Sequence, residues 1–434
     1  MLAAAGSNLL AARYQMALSL GWHIVVACLG VGFPIVILVT EGLGLRRGDT
    51  VHRDLARRWS QAAAVLFAVG AVSGTILSFE MGILWPQLMG GYGAVFGLPF
   101  ALEGFAFFIE AIFIGIYLYG WNRLSPRRHL LTGVPVVVAG VLSAFFVVCA
   151  NAWMNDPQGF RLVGGRVLDP DPIAAMFNPA TPVQSAHMII AAIMVTGYLV
   201  AAVHALGLLR GRRGPGQRAA FLIPFTLAAV FTPAQIVVGD AAARYVADRQ
   251  PVKLAAMEAQ VSTEIGPAEH VGGVVVDGRL RYAVVIPHGL SLLLTGRTDT
   301  RVSGLDAVPV DQRPPVNVVH LAFDLMVGIG TALLVLGAWL GVTWGRRRDL
   351  PRSRWFLRAA VLAGPAAVAA LEAGWVTTEV GRQPWIVYRV MRTADAVNTA
   401  PGLAVGLFVL IGVYTVLTVS TVYVLRRQGP VASA

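Results

Sequence analysis

Long apolar runs separated by short arginine-containing segments set the pattern of this chain. Each run is long enough for a helix across the hydrocarbon core of a bilayer, which takes about 20 residues. The runs cover roughly 13–41, 60–79, 99–121, 130–152, 182–209, 219–239, 315–344, 356–378 and 401–425. The pattern therefore predicts an all-α polytopic membrane protein with about nine transmembrane helices.

Arginine is concentrated in every second connection between these runs. Because cytoplasmic loops carry the excess of Lys and Arg, this distribution predicts an N-terminus outside and a C-terminus in the cytoplasm. An odd number of spans agrees with that orientation. The arginines that follow the first, third, fifth, seventh and ninth runs are Arg46, Arg47, Arg53, Arg57, Arg58, Arg123, Arg127, Arg128, Arg210, Arg212, Arg213, Arg218, Arg346, Arg347, Arg348, Arg352, Arg354, Arg426 and Arg427.

One connection is much longer than the others and is expected on the outer side. It divides the chain into six helices over 1–239, an outer loop over 240–314 and three helices over 315–434. A loop of this length usually has a function of its own. It contains Lys253 and Glu258 in a polar stretch whose apolar positions are too few to predict a core helix.

Composition and charge exclude several classes of protein. The chain is 56% hydrophobic and only 13% charged, which excludes a soluble enzyme. Its net charge of +11 comes mostly from loop arginines and is interpreted as a topology signal, so no nucleic-acid partner is expected. Cys28 and Cys149 both lie in apolar runs, so a structural disulfide is not expected, and no Cys-x-x-Cys-His motif for c-type haem attachment occurs.

Two of the eight histidines lie within apolar runs, His23 in the first and His187 near the start of the fifth. A histidine inside a membrane span is a functional hypothesis by default, with a structural hydrogen bond as the alternative. His52 and His129 stand among cytoplasmic arginines and are expected to be solvated. His320, near the start of the seventh helix, is expected to form a hydrogen bond at the interface.

The third run carries two carboxylates, Glu103 and Glu110. A spacing of seven residues places both on one helix face, separated by ~10 Å. Since carboxylates facing lipid are costly, both are expected to face protein or water. They form either a buried hydrogen-bonded pair or a proton relay.

The eighth run ends in a second cluster of polar residues. Glu372, Trp375 and Glu379 share one helix face, and Arg382 brings a positive charge back towards Glu379. The alternatives are a helix end held by a salt bridge, or a carboxylate that serves as ligand or proton acceptor beside a buried cofactor.

The predicted topology places several of these residues at similar depth. Glu103, His187, Met326 and Glu379 all fall towards the outer face. Histidine and methionine together can bind haem iron axially, although a lone methionine is usually core filler. Redox cofactors near the outer face would suit oxidation of an electron donor there.

Several motifs together resemble the cytochrome bd-type quinol oxidases, subunit I, of the kind with a short quinol loop. The resemblance covers nearly the whole chain. The Glu-Val-Gly-Arg-Gln-Pro-Trp run is the most specific of the motifs, which stand at 21–23, 103–110, 151–154, 250–258, 326–328 and 379–385.

The resemblance implies a set of cofactor-binding residues. His187 and Met326 would be the axial ligands of a low-spin haem b. His23 and Glu379 would serve two high-spin haems, b and d, which form the oxygen site. Trp375 would pack between haems, and Arg382 would neutralise a haem propionate or Glu379.

The resemblance also implies residues for protons and for quinol. Glu103 and Glu110 would belong to the proton path and haem pocket, with Ser143 as a further candidate. Lys253 and Glu258 would mark the quinol-binding loop. They lie five residues apart, about 140° around a helix, so one quinol need not contact both.

Two positions depart from the family pattern. Asn155 stands where many relatives have glutamine, and Asp324 stands where some relatives have arginine two residues before the methionine. The second departure leaves the charge around the low-spin haem open.

The implied function is the catalytic subunit of a terminal quinol:oxygen oxidoreductase in the bacterial cytoplasmic (inner) membrane. It would oxidise quinol at the outer face and reduce O2 to water with cytoplasmic protons, which is electrogenic without proton pumping. Its partners would be subunit II and a small single-helix subunit.

A proton-coupled transporter that uses Glu103, Glu110 and Glu379 is the alternative. It leaves the His and Met placement unexplained, as well as the Gly-Arg-Gln-Pro-Trp run. A haem-copper oxidase is disfavoured because the sequence has no His-His dipeptide, and a cytochrome b of the bc type because paired helical histidines are missing.

Overall fold

The computed structural model describes residues 2–212, 214–351 and 353–427, so Arg213 and Arg352 of the topology argument lie outside the described residues. Helices α1 to α13 cover, in chain order, Leu2–Arg47, Thr50–Leu84, Pro86–Gly120, Pro126–Asn155, Pro172–Met176, Thr181–Leu209, Pro215–Arg249, Pro251–Met257, Gly289–Thr295, Val316–Arg347, Arg354–Gly381, Thr393–Ala396 and Leu403–Arg427. Strands β1 to β10 cover Arg161–Val163, Arg166–Leu168, Glu264–Ile265, Glu269–Val271, Val274–Val276, Arg279–Arg281, Val284–Ile286, Arg301–Val302, Trp385–Val387 and Met391–Arg392.

Nine of the helices in the described ranges are long and apolar enough to cross a membrane, which confirms the predicted number. They are α1, α2, α3, α4, α6, α7, α10, α11 and α13. Several exceed the predicted spans because their polar ends remain helical. The pattern predicts that the sixth span ends at 239, whereas α7 continues to Arg249.

The second and third spans are joined by a single residue. The pattern places a connection over 80–98, but α2 runs to Leu84 and α3 begins at Pro86, with Trp85 between them. Pro86 suits the first turn of a helix because its missing N–H would have no partner there. Pro99, which the pattern puts at the start of the third span, lies inside α3.

Hydrogen bonds between connections agree with the alternation of the spans. On the arginine-rich side, Arg218 at the start of α7 pairs with Asp349, which follows α10. On the opposite side, Asn398 before α13 donates to the carbonyl of Ile83 at the end of α2, 2.8 Å away. Each contact joins two connections of the same set, as the alternation of the spans requires.

The largest core cluster joins α6 to α7, α10 and α11. Glycines let these helices approach closely. A Cβ on Gly197 of α6 would lie 2.6 Å from the carbonyl oxygen of Pro224 in α7, and one on Gly364 of α11 would lie 2.8 Å from Cβ of Ala202. Small residues at helix contacts allow such packing in membrane proteins.

A second core cluster fixes the segment that follows α11. Trp153 at the end of α4 is fully buried and stacks on Phe96 of α3 with 4.8 Å between ring centroids. The same cluster includes Val387 of β9, and the Tyr388 N–H donates to the carbonyl of Met154 over 2.9 Å. The end of α11 and the end of α4 are therefore held together.

The chain between α7 and α10 is more ordered than its polar composition suggests. Among the described residues, β3 to β8 form three antiparallel pairs, β3 with β8, β4 with β7, and β5 with β6. The short helix α8 is buried at every position from Val252 to Met257. The expectation of a polar stretch without core character is therefore wrong for α8, which packs against α7, α10 and α11.

Candidate functional site

His23 lies on α1 with its ring against α2. Its Nδ1 is 2.7 Å from the hydroxyl of Ser73, which leaves Nε2 available to a ligand. A Cβ on the next residue, Gly74, would lie 3.3 Å from Cε1 of the ring. The glycine therefore lets the imidazole pack closely against α2.

His187 and Met326 each also pack against a glycine of a neighbouring helix. The buried Nδ1 of His187 has no hydrogen-bond partner in the described part of the chain, and a Cβ on Gly239 of α7 would lie 3.4 Å from its Cε1. A Cβ on Gly374 of α11 would lie 2.8 Å from the sulfur of Met326. All three candidate ligands thus face a glycine on a neighbouring helix.

The face of α11 that carries Glu372 and Trp375 packs against α1. A Cβ on Gly21 would lie 3.4 Å from a carboxylate oxygen of Glu372 and 3.9 Å from the Trp375 ring. Gly21 is two residues before His23, so Trp375 lies beside the helix that carries this candidate ligand. Glu372 and Trp375 therefore share a face as the spacing predicts, whereas Glu379 contacts Asn151 of α4.

Glu379 is held by two side chains at the end of α11. Asn151 Nδ2 donates to Oε1 over 2.6 Å, and Arg382 donates to Oε2 over 2.5 Å. The Arg382 side chain is almost completely buried, and its Nε and Nη1 lack partners within residues 2–212, 214–351 and 353–427. A buried guanidinium with unused donors provides a site for an additional anion.

A chain of hydrogen bonds connects α8 to this cluster. Lys253 Nζ donates to Oδ1 of Asn155 over 2.7 Å, and Asn155 Nδ2 donates to Asn151 over 3.0 Å. Asn151 in turn binds Glu379. Burial of Lys253, reinforced by the nearby charge of Arg382, lowers the pKa of the lysine to about 7. Asn155, noted from the sequence as a departure, is thus the link between α8 and Glu379.

Glu110 lies on the face of α3 that packs against the bundle, and it lines a cavity between α1, α2, α3 and α4. The carboxylate is buried, and a Cβ on Gly140 of α4 would lie 3.4 Å from its Oε1. The cavity is also lined by Gly30 and Tyr117. Glu103 is half-buried two turns away on α3, and Ser143 is half-buried one turn from Gly140 on α4.

Glu258 follows α8 and points to a different cluster from Lys253. Its side chain is buried, and its pKa is raised well above the ordinary value by burial and by the neighbouring Glu269 carboxyl. His320 of α10 holds this helix end, since its Nδ1 is 2.7 Å from the carbonyl oxygen of Met257. The expected hydrogen bond of His320 is present, although the ring is fully buried.

The expectation that His52 and His129 are solvated is wrong. His52 is buried with its Nδ1 2.7 Å from Asp49. His129 is buried with its Nδ1 2.6 Å from Oε1 of Glu41, whose Oε2 accepts from Tyr117 over 2.6 Å. The sequence signal that could have found this cluster is Glu41 itself, an acid at the end of the first apolar run.

Comparisons with known proteins support the resemblance inferred from the motifs. Residues 11–430 match the family model described as cytochrome bd terminal oxidase subunit I. The chain is 36% identical, over 98% of both sequences, to the "Putative cytochrome bd menaquinol oxidase subunit I" of Bacillus subtilis (strain 168). It is 30% identical to the "Cytochrome bd-II ubiquinol oxidase subunit 1" of Escherichia coli (strain K12), covering 97% of this chain and 96% of that protein.

A solved structure agrees with these relatives. The bd oxidase from Geobacillus thermodenitrificans matches with a TM-score of 0.90 and 38% identity, covering 97% of this chain and 98% of that one. The sequence match extends over almost the entire chain, and the fold is shared. The chain therefore belongs to the cytochrome bd terminal oxidase subunit I family and is a quinol oxidase subunit.

Proposed function

We propose that this chain is the catalytic subunit that oxidises quinol at the outer face of the bacterial cytoplasmic membrane and reduces O2 to water. The observation that carries the proposal is the hydrogen-bonded chain from Lys253 through Asn155 and Asn151 to Glu379 and Arg382. It connects the segment expected to bind quinol with a carboxylate expected to bind haem.

The family implies haem cofactors, and the residues present fit them. The hydrogen bond of His23 Nδ1 to Ser73 leaves Nε2 available, and His187 Nδ1 has no partner within the described residues, so both imidazoles can offer a nitrogen to iron. The unused donors of Arg382 suit a propionate.

The assignment of ligands follows the resemblance. His187 and Met326 would hold a low-spin haem b, and His23 and Glu379 would serve a high-spin haem b and haem d. These groups would supply electron transfer and the binding and reduction of O2. Ser73 orients the His23 ring, Asn151 and Arg382 orient Glu379, and Trp375 fills the space beside α1.

Protons would enter from the cytoplasmic side and leave at the outer side. Glu110, with Glu103 and Ser143, would deliver protons for water formation, since it faces a cavity between four helices. Glu258 would take protons from quinol in the outer segment. Charge would then cross the membrane because electrons and protons meet from opposite sides, without a pump.

The excess of arginine in alternate connections supports an N-terminus outside and a C-terminus in the cytoplasm. The chain would act in a membrane complex with subunit II, with a small single-helix subunit as a further partner. Nothing in this arrangement favours the proton-coupled transporter, whose carboxylates would not require the histidine and methionine placement.

The test is purification of the complex from membranes, followed by absorption spectroscopy and quinol-driven oxygen uptake. We expect b-type haem bands together with a red-shifted chlorin-type band, and oxygen consumption that depends on quinol. A pure, folded protein without colour would contradict the proposal and return the transporter to consideration.

A further inference from the structure

A second carboxylate, Glu269 of β4, lies against Glu258. The two carboxyl groups are within hydrogen-bond range of one another. Glu258 Oε2 and Glu269 Oε2 are both buried, and neither has another partner in the parts of the chain that the structure describes. The spacing of eleven residues gives no sign of this contact, which the packing of β4 across the end of α8 creates.

The backbone around this pair is firmly held. His270 Nδ1 is 3.2 Å from the carbonyl oxygen of Glu258, so β4 is fixed to the end of α8. A Cβ on Gly289 would lie 2.5 Å from the Cβ of Glu269, so this glycine packs directly against the start of the Glu269 side chain. His320 links both segments, with Nδ1 2.7 Å from the Met257 carbonyl and Nε2 2.9 Å from the Gly272 carbonyl.

The charged groups that face the pair lie on α10. On α10, Asp324 accepts from the Gly272 N–H over 2.5 Å, and His320 stands 3.5 Å from Asp324. Lys253 on α8 is directed to Asn155 and does not neutralise the pair.

Two carboxyl groups this close cannot both ionise at low cost. Burial raises the pKa of both groups, and Glu269 adds to the increase at Glu258 through its charge. Glu258 is the more deeply buried of the two, whereas Glu269 is only half-buried. A pair that shares one proton would hold it on Glu258, the more deeply buried group, and Glu269 would carry the charge.

We propose that Glu269 is the proton acceptor of the quinol site and that Glu258 relays protons to it from the quinol hydroxyl. The inference rests on the proposed function, since it requires quinol to approach Glu258. A quinol gives up two electrons and two protons on oxidation to quinone. The electrons leave along the path to O2 that the quinol oxidase activity supplies.

The two protons pass in turn. Glu258 accepts a proton from the quinol hydroxyl at one oxygen while its own proton moves to Glu269 from the other, and the pair becomes neutral. Glu269 then releases a proton to outer water, which restores the singly charged pair for the second proton. No proton or charge is left over when both have passed.

The test is Glu269→Gln, which keeps the size of the side chain and removes its charge. With Glu269 gone, a buried Glu258 must itself ionise before it can accept a proton. We expect kcat for quinol oxidation at neutral pH to fall about 10²-fold, at the lower end of the effect of positioned proton transfer, with KM much less changed. Activity should recover as the pH rises, so that the acid limb of the pH profile moves to higher pH.

The matched control is Glu264→Gln, an exposed carboxylate in the same segment that accepts from Ser262 over 3.0 Å. It should leave the profile unchanged. Haem absorption reports folding in both variants. A Glu269→Gln profile that superimposes on that of the unmodified protein, or a loss that is equal at every pH, would overturn the relay.

Infrared spectroscopy provides a readout that does not depend on turnover. At neutral pH the unmodified protein should contain a protonated carboxylic C=O band that Glu258→Gln removes, because Glu269 alone is ionised. A spectrum without that loss overturns the shared proton even if Glu269→Gln does not fold. If Glu258→Gln abolishes activity while Glu269→Gln does not, the relay fails and the quinol oxidase proposal stands. A complex without haem or quinol oxidation contradicts the proposed function instead.

Discussion

Replacement of Asn155 by leucine tests the connection between α8 and the Glu379 cluster. Asn155 Oδ1 is the one acceptor that Lys253 Nζ has among the residues described, at 2.7 Å. A hydrogen bond to a charged group contributes about 1.5–3 kcal/mol. Leucine has a similar volume and no acceptor, so the buried ammonium would lose that contribution.

The expected effect follows from this magnitude. Each 1.4 kcal/mol corresponds to about a tenfold change, so quinol oxidation at neutral pH should fall about 10- to 100-fold if charged Lys253 helps to hold quinol. The pKa of Lys253 is already lowered to about 7 by burial, and loss of the acceptor would lower it further. More of the lysine would then be neutral at pH 7.

The assay is quinol-driven oxygen uptake of the purified complex, with haem absorption as a check of folding. Asn155→Gln keeps the amide and should retain most of the activity. Asn398→Leu removes an amide on the same side of the protein, where Nδ2 donates to the Ile83 carbonyl, and should have little effect. Full quinol oxidase activity in Asn155→Leu would refute the link from Lys253 to the oxygen site.

Three further predictions concern topology, the low-spin haem and the quinol segment. A reporter fused after Arg427 should be active only in the form that works in the cytoplasm, and activity of a periplasmic reporter there would contradict the orientation. Met326→Leu should abolish the low-spin haem b spectrum while Met194→Leu, in the core of α6, preserves it; an unchanged spectrum would remove Met326 from the ligands. Glu258→Gln should leave haem spectra intact and reduce quinol-driven oxygen uptake by about 10²-fold or more, with an artificial one-electron donor much less affected. Bleached haems in that variant would instead indicate a purely structural role.

Features that lie within one helix could be predicted from the spacing of residues along the sequence. The apolar runs predict the nine spans. The face shared by Glu372 and Trp375 follows from the helical repeat within α11. The contact of Glu379 with Arg382, the residue that caps this helix, follows from their spacing of three.

Contacts between distant segments could not be predicted in this way. Glu41 and His129 are separated by 88 positions and meet only because α1 and α4 pack together. The sequence shows Asn155 only as a departure from the family pattern, because its contact with Lys253 of α8 depends on how distant segments pack. The burial of α8 could not be predicted from the polar composition of the outer segment. Its lysine is buried, whereas a lysine in a sequence usually indicates a solvent-exposed helix.

One turn of α11 contacts two of the helices that carry candidate ligands. Gly374 faces Met326 of α10, while Trp375, the next residue and about 100° further round the helix, packs beside Gly21 on the helix of His23. Under the proposed assignment, this one turn contacts both the methionine that would hold the low-spin haem and the helix whose histidine would serve a high-spin haem. A substitution in this turn of α11 is therefore expected to disturb the surroundings of both candidate ligands at once.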